Sequence, residues 1–232
     1  EEYNSLGLQA YIPKIRTSTA QMEDLTIEMN NELDALDLSV YVFNRLPKEN
    51  PTAAKIGDVK AHMNLTAREN ELDMTISLDN TDSIRNAGEI QVGALLQQYN
   101  NKPQANIHIQ PTEIVLNDSI WTINESDIIY TVAEKKMDIR SFSINTDFQR
   151  IAADGIASTD PNDSIEVELQ NIDLQYLLGY TEASKAISVQ GPLSGWAKIY
   201  GLFAQPMIEA NALLPNAGLN GTYLGDVTAT AY

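Results

Sequence analysis

The side chains able to do chemistry are few and poorly placed for it. Two histidines, His62 and His108, are the only groups that ordinarily titrate near neutrality. Each sits between apolar neighbours, Ala61 and Met63 in one case, Ile107 and Ile109 in the other. On strands, that spacing puts both imidazoles on the polar face, as surface groups. No Gly-x-Ser-x-Gly elbow accompanies them, so a serine–histidine–acid hydrolase has no support. The absence of cysteine removes disulfides, thiolate metal sites and cysteine nucleophiles.

Metal and phosphate motifs fare no better. Asp160-Pro161-Asn162-Asp163 has acidic spacing faintly like a calcium loop, without that loop's glycine and terminal glutamate. A turn between strands explains it more simply. Gly191-Pro192-Leu193-Ser194-Gly195 is glycine-rich, but no lysine follows and no helix opens there, so it reads as a bent strand. Among 32 acids nothing picks out a glycosidase pair. Trp121 and Trp196 are candidate sugar platforms. Trp121 alternates with Ile123 inside a run of strands, which favours a core or lining role. The chain reads as a non-enzyme with no cofactor and no metal.

Three Asp-Ser-Ile triplets, at Ser83, Ser119 and Ser164, each sit at a turn entering a strand. They resemble the extracytoplasmic O-glycosylation signal of Bacteroidota. The five Asn-x-Ser/Thr sites, at Asn64, Asn117, Asn124, Asn162 and Asn220, carry no such reading.

The elements that position these residues follow from a period-two alternation. Val59, Ala61, Met63 and Leu65 share a face, with Lys60, His62 and Asn64 on the other. Leu72, Met74, Ile76 and Leu78 repeat the scheme after a turn at Arg68-Glu69-Asn70, and Ile90, Val92, Ala94 and Leu96 repeat it again. The same alternation recurs through 105–116, 137–139, 165–169, 208–214 and 227–231. Such strands have one apolar and one wet face, and the apolar face must be covered by a second sheet, by curling, or by a ligand. Irregular, hairpin-like spacing disfavours a parallel β-helix.

Helix is scarce. The best candidate is 173–178, with Asp173 as N-cap and Gly179 as terminator, and a weaker helical turn falls near 32–37. Pro13 is expected to break any long element in 1–20. Seven of twelve glycines fall in 171–232, where the apolar face uses smaller residues and strong curvature is expected.

Length and charge set the frame. Two hundred and thirty-two residues can bury a sizeable core without cross-links. Fifteen basic against 32 acidic residues give −17, which argues against nucleic acid or an anionic membrane face as partner. No apolar run approaches the roughly 18 residues of a membrane helix. A start at Glu1-Glu2-Tyr3 reads as an internal, soluble piece of something longer.

The order of motifs from 107 onward resembles TamB-type proteins of Bacteroidota. The run from Ile107 to Ile123 has an Ile-rich strand, an Asn117-Asp118 turn, then Trp121-x-Ile123. Ile139 to Phe142, Phe148 to Ile151, Gly155, Ser158 and Asp163 to Leu169 continue it. Ile187 to Gly195, Gly201, Pro206 and Leu224-Gly225-Asp226 resemble the next repeat. The resemblance covers most of 58–232.

That family, grouped with AsmA-like, bridge-like proteins, implies a mostly β fold. It would be a long, twisted, curled antiparallel sheet forming an apolar groove, with one short helix. Residues 1–57 would be a lead-in with early strands, and 58–232 a continuous groove body with a helix-marked repeat boundary near 171–181. The resemblance implies an internal section of a periplasm-spanning, inner-membrane-anchored protein of a Gram-negative envelope. Its full-length form would meet an Omp85-type outer-membrane barrel. Its groove would conduct phospholipid acyl chains or assist outer-membrane protein assembly. The apolar-phase residues Ile107, Ile109, Ile114, Leu116, Trp121, Ile123, Ile139, Ile165, Val167 and Leu169 would line it, with His108 and Glu168 facing solvent. Two rivals remain: a structural or adhesive β-rich scaffold whose apolar face its own side chains seal, and a polysaccharide-active enzyme on a β-helix.

Overall fold

The computed structural model describes residues 6–16, 21–32, 34–45, 58–80, 84–174 and 188–232. Those residues are almost entirely antiparallel β-sheet. The chain divides into two compact units, Glu1–Gln97 with His108–Trp121, and Gln98–Ile107 with Thr122–Tyr232. Of the helix expected at 173–178, Asp173, the expected N-cap, is instead the last residue of a strand, paired with Pro192. Its remainder at 175–178, the lead-in boundary expected at 57, most of the boundary expected near 171–181, and Ser83 lie outside the described residues.

The first unit is a meander. Its strands are β1 (Leu6–Arg16), β2 (Gln21–Glu32), β3 (Ala35–Arg45), β4 (Val59–Arg68), β5 (Glu71–Asn80) and β6 (Ala87–Tyr99). Each pairs antiparallel with the next. After β7 (Lys102–Ile109), most of which belongs to the second unit, β8 (Thr112–Leu116) returns to the first beside β6, with Gly88 opposite Ile114.

Two expectations for this unit are corrected. The helical turn near 32–37 is instead the β2–β3 hairpin, with Glu32 opposite Ala35 and Asp34 left-handed at φ 63°. The apolar alternation Leu36, Leu38, Val40, Val42 outweighs the few helix-compatible residues before it. Nor does Pro13 break β1. It lies between the pairs Ile12–Leu25 and Lys14–Glu23, across from the bulge at Asp24, where no ladder donor is required of it.

The second unit repeats the plan. β10 (Ser126–Thr131) leads through a 3-10 turn at Val132–Glu134 into β11 (Lys136–Asn145), then β12 (Arg150–Ala157) and β13 (Ser164–Asp173). Next come β14 (Val189–Gln190), β15 (Pro192–Tyr200), β16 (Met207–Leu219) and β17 (Thr222–Ala231). β13 pairs with β15, and β15 with β16. The end of β9 (Ser119–Ile123) lies on β11, with Ile123 opposite Ile144.

Turn chemistry accounts for the tight connections. Asn100-Asn101, Asn117-Asp118 and Asn220-Gly221 each have both residues at positive φ, the geometry of two-residue turns that match strand twist. Asn and Asp tolerate it best after glycine.

Four strands carry a bulge of the same design. Apolar residues stand three apart, Met22 and Leu25, Ile139 and Phe142, Leu169 and Ile172, Leu214 and Ala217. The residue just before the second of each pair is left-handed: Asp24, Ser141, Asn171 and Asn216, with φ of 51–57°. The extra residue returns the next apolar side chain to the face that strict alternation would have lost.

Candidate functional site

Register places the apolar residues of each unit in rows across the strands. In the first unit one row runs Leu8, Met29, Leu38, Leu65, Met74, Val92. The next runs Ala10, Ile27, Val40, Met63, Ile76, Ile90. A third carries Val42, Ala61, Leu78, Gly88 and Ile114. The intervening rows are polar, as in Gln9, Glu28, Ser39, Asn64, Thr75, Gln91.

The second unit has the same construction. One row runs Ile123, Ile144, Ile151, Leu169, Gly195, Ala212, Ala229. Beside it lies Phe142, Ala153, Val167, Ala197, Ala210, Ala231. A third runs Ile128, Ile139, Gly155, Ile165, Ile199, Ile208. Over β15–β17 the two middle rows are only glycine and alanine, bounded by Ile199 and Ile208 on one side and by Leu214 and Val227 on the other. Gly195 belongs there because a Cβ would strike the Asn211 carbonyl of β16.

These faces are only partly covered. Among the described residues the buried apolar side chains are Ala35, Trp121, Ile123, Ala157, Ile165, Ile172 and Ala217. Most row residues are half-buried, and Leu8, Ile76, Leu78, Ile208, Ala229 and Ala231 are exposed. Full burial of a Leu or Ile side chain is worth roughly 1.5–3 kcal/mol, so a half-covered row leaves part of that unrealised.

The ten expected lining residues divide accordingly. Ile107, Ile109, Ile114, Leu116, Ile139, Val167 and Leu169 are half-buried, while Trp121, Ile123 and Ile165 are buried by the protein itself. Register brings Ile123 and Leu169 into one row, and Ile139 and Ile165 into another. Glu168 is exposed, but His108 is half-buried, because β7 is shielded on both faces from Gln104 onward. His62 accepts or donates a 3.0 Å hydrogen bond with Ser39 and stacks edge-on to Tyr41 on the polar face. Alternation alone did not reveal Phe142, Ile144, Ile151, Ile172, Ile199 and the small-residue floor as neighbours. For Phe142, Ile144 and Ile172 the three-residue spacings across Ser141 and Asn171 were the available signal.

The polar faces hold charge in pairs. Asp154, Glu166, Lys198 and Glu209 form one row, and Lys198 meets Glu166 at 3.2 Å. That contact holds the Lys198 ammonium above its ordinary range. Tyr200 donates its hydroxyl to Glu209 at 3.1 Å, which raises the phenol. At the Asp160–Asp163 turn, the Asp160 carboxylate accepts the backbone and side-chain N–H of Asn162. Those two bonds lower its pKa. Ser158 donates to Asp163, and Lys136 lies 3.5 Å from it. Among the described residues no group of three His, Cys, Asp or Glu is arranged to hold a metal. Of the triplet serines, Ser119 and Ser164 are half-buried at strand starts.

Comparison with protein-family models, curated proteins and solved structures returns no match.

Proposed function

We propose that the apolar faces are seats for phospholipid acyl chains, and that the chain is a lipid-conducting section of a TamB-type envelope protein. The observation that carries this reading is the half-exposed apolar row, unbroken across six or seven strands in each unit. A seven-strand row covers six gaps of ~4.8 Å, about 29 Å. One lipid chain occupies only about 15 Å, half of a bilayer's hydrocarbon thickness. Each buried CH₂ contributes ~0.8 kcal/mol, and an undifferentiated aliphatic lining lets a chain shift without a deep trap. The floor of Gly195, Ala197, Ala210 and Ala212 leaves depth between its bulkier neighbours.

In this reading the full-length protein is periplasmic and anchored in the inner membrane, and it works with an Omp85-type barrel in the outer membrane. Assistance to outer-membrane protein assembly is the same surface serving an unfolded apolar strand. The sealed-scaffold reading has its own support in the complete burial of Ile172 and the near-complete burial of Ile123 and Ile165.

Incubation with phosphatidylethanolamine–phosphatidylglycerol vesicles, re-isolation and mass spectrometry separate the two. A conduit returns with bound phospholipid, and Val167→Asp loses most of it because an unpaired charge in an apolar seat costs several kcal/mol. Recovery of folded protein free of lipid favours the scaffold.

A further inference from the structure

The polar face of the second unit carries an aromatic residue that the fold does not use. β15 puts Leu193, Gly195, Ala197 and Ile199 on the apolar side, and Ser194, Trp196, Lys198 and Tyr200 on the other. Trp196 stands 40% exposed there. One position along, on either side, it would have joined the apolar rows and gained burial. Glu168 of β13 lies directly opposite it, and Asn211 of β16 opposite on the other side.

Glu168, the cross-strand partner of Trp196, lines a depression of about 550 Å³. Its lining includes the small side chains Ser143, Ala152 and Ser164 and the charged Arg150, Asp154, Glu166 and Glu168. The bulge at Ser141 contributes to it. Asp154 is engaged by the Ser141 N–H and Glu166 by Lys198. The side chains of Arg150 and Glu168 have no hydrogen bond or ion pair among the described residues.

We propose that this face binds an uncharged oligosaccharide, with Trp196 as stacking platform and Arg150 and Glu168 as the hydroxyl-reading pair. A pyranose presents a C–H face that suits an indole and a rim of hydroxyls that both donate and accept. A guanidinium and a carboxylate recognise neighbouring hydroxyls by charge-assisted, two-point hydrogen bonds. Four carboxylates, Asp154, Glu166, Glu168 and Glu209, against the two cations Arg150 and Lys198 disfavour acidic sugars, nucleic acid and phosphate. The depression is open and lined partly by small side chains, which suits a chain segment lying across strands more than an enclosed metabolite. The proposal is independent of the lipid reading, which concerns the opposite face.

The test titrates the 1–232 chain with cellohexaose, maltohexaose and N-acetylchitohexaose, and with an oligogalacturonate as acidic control. Tryptophan fluorescence and saturation-transfer NMR are the readouts. We expect saturable binding of at least one neutral hexasaccharide, weakened at least tenfold by Trp196→Ala and about threefold by Glu168→Gln. Trp196→Tyr should retain part of it, and Phe148→Ala, in an exposed turn, should leave it unchanged. Circular dichroism checks that each variant folds. Absence of binding by all three neutral sugars, tighter binding of the oligogalacturonate, or indifference to both Trp196 substitutions in folded protein would overturn the proposal.

Discussion

The backbone N–H of Ser141 donates to the carboxylate of Asp154 on the next strand, at 3.0 Å. Ser141 is the left-handed residue of the β11 bulge, φ 57°. A bulge leaves one amide out of the ladder, and here a side chain across the strand gap receives it. The arrangement recurs: Asn171 N–H donates to Ser194 Oγ at 2.9 Å, and Asn216 N–H to Asp226 at 2.9 Å. In each case the captured amide holds the phase shift that keeps the following apolar residue on the apolar face.

Asp154→Ala should therefore destabilise the protein by about 1 kcal/mol, the usual worth of a hydrogen bond lost from a partly wet site. Asp154→Asn, which keeps an acceptor, should cost less. Urea unfolding with unchanged slope checks both. Deleting Ser141 is a harsher change: Phe142 and Ile144 would rotate to the polar face, and the account predicts loss of cooperative folding.

Glycine substitutions should separate by backbone geometry. Gly155 has φ 118°, and a Cβ there would strike the Ser164 carbonyl oxygen, so Gly155→Ala should cost about 2–4 kcal/mol. Gly93 has ordinary φ and an added Cβ would meet only Asp73 Oδ1, at 3.6 Å. Gly93→Ala should be neutral or stabilise by about 0.5 kcal/mol. Thermal melts of the two variants side by side give the comparison.

The contrast between these sites shows what the sequence made legible. Val59 to Leu65 and Leu72 to Leu78 alternate without interruption, and register places them in rows as read. Strict alternation fails at Ser141 and Asn171, because a bulge moves phase by one residue and a period-two reading then assigns Phe142 and Ile172 to the wrong face. The same reading left His108 in solvent, since a single strand's pattern does not report what covers its polar side. Trp196 was visible as a possible sugar platform, but Glu168 is its neighbour only through the pairing of β13 with β15, and Arg150 lies on β12, one strand further.

Asp160 offers a pH test. Its carboxylate accepts the backbone N–H of Asn162 and, in addition, that residue's side-chain amide, and its pKa is lowered. A depressed folded pKa contributes stability that is present above the unfolded value and lost as pH falls through the folded one. Carbon-detected NMR should find Asp160 titrating below the ordinary Asp range. Asn162→Ala should move the midpoint part of the way back, since the backbone donor remains. No change in that variant would assign the shift to other groups.

The central claim is that one face of each sheet is open to acyl chains and the other is not. The most direct measurement places a photo-crosslinking residue singly at 167, 168, 211 and 212 in the 1–232 chain, exposed to phosphatidylethanolamine–phosphatidylglycerol vesicles. Val167 and Ala212 lie on the apolar face, and Glu168 and Asn211 are their sequence neighbours on the polar one. The account predicts lipid adducts at 167 and 212 and background at 168 and 211. Equal capture on both faces, or none on either with the fold intact, would contradict it.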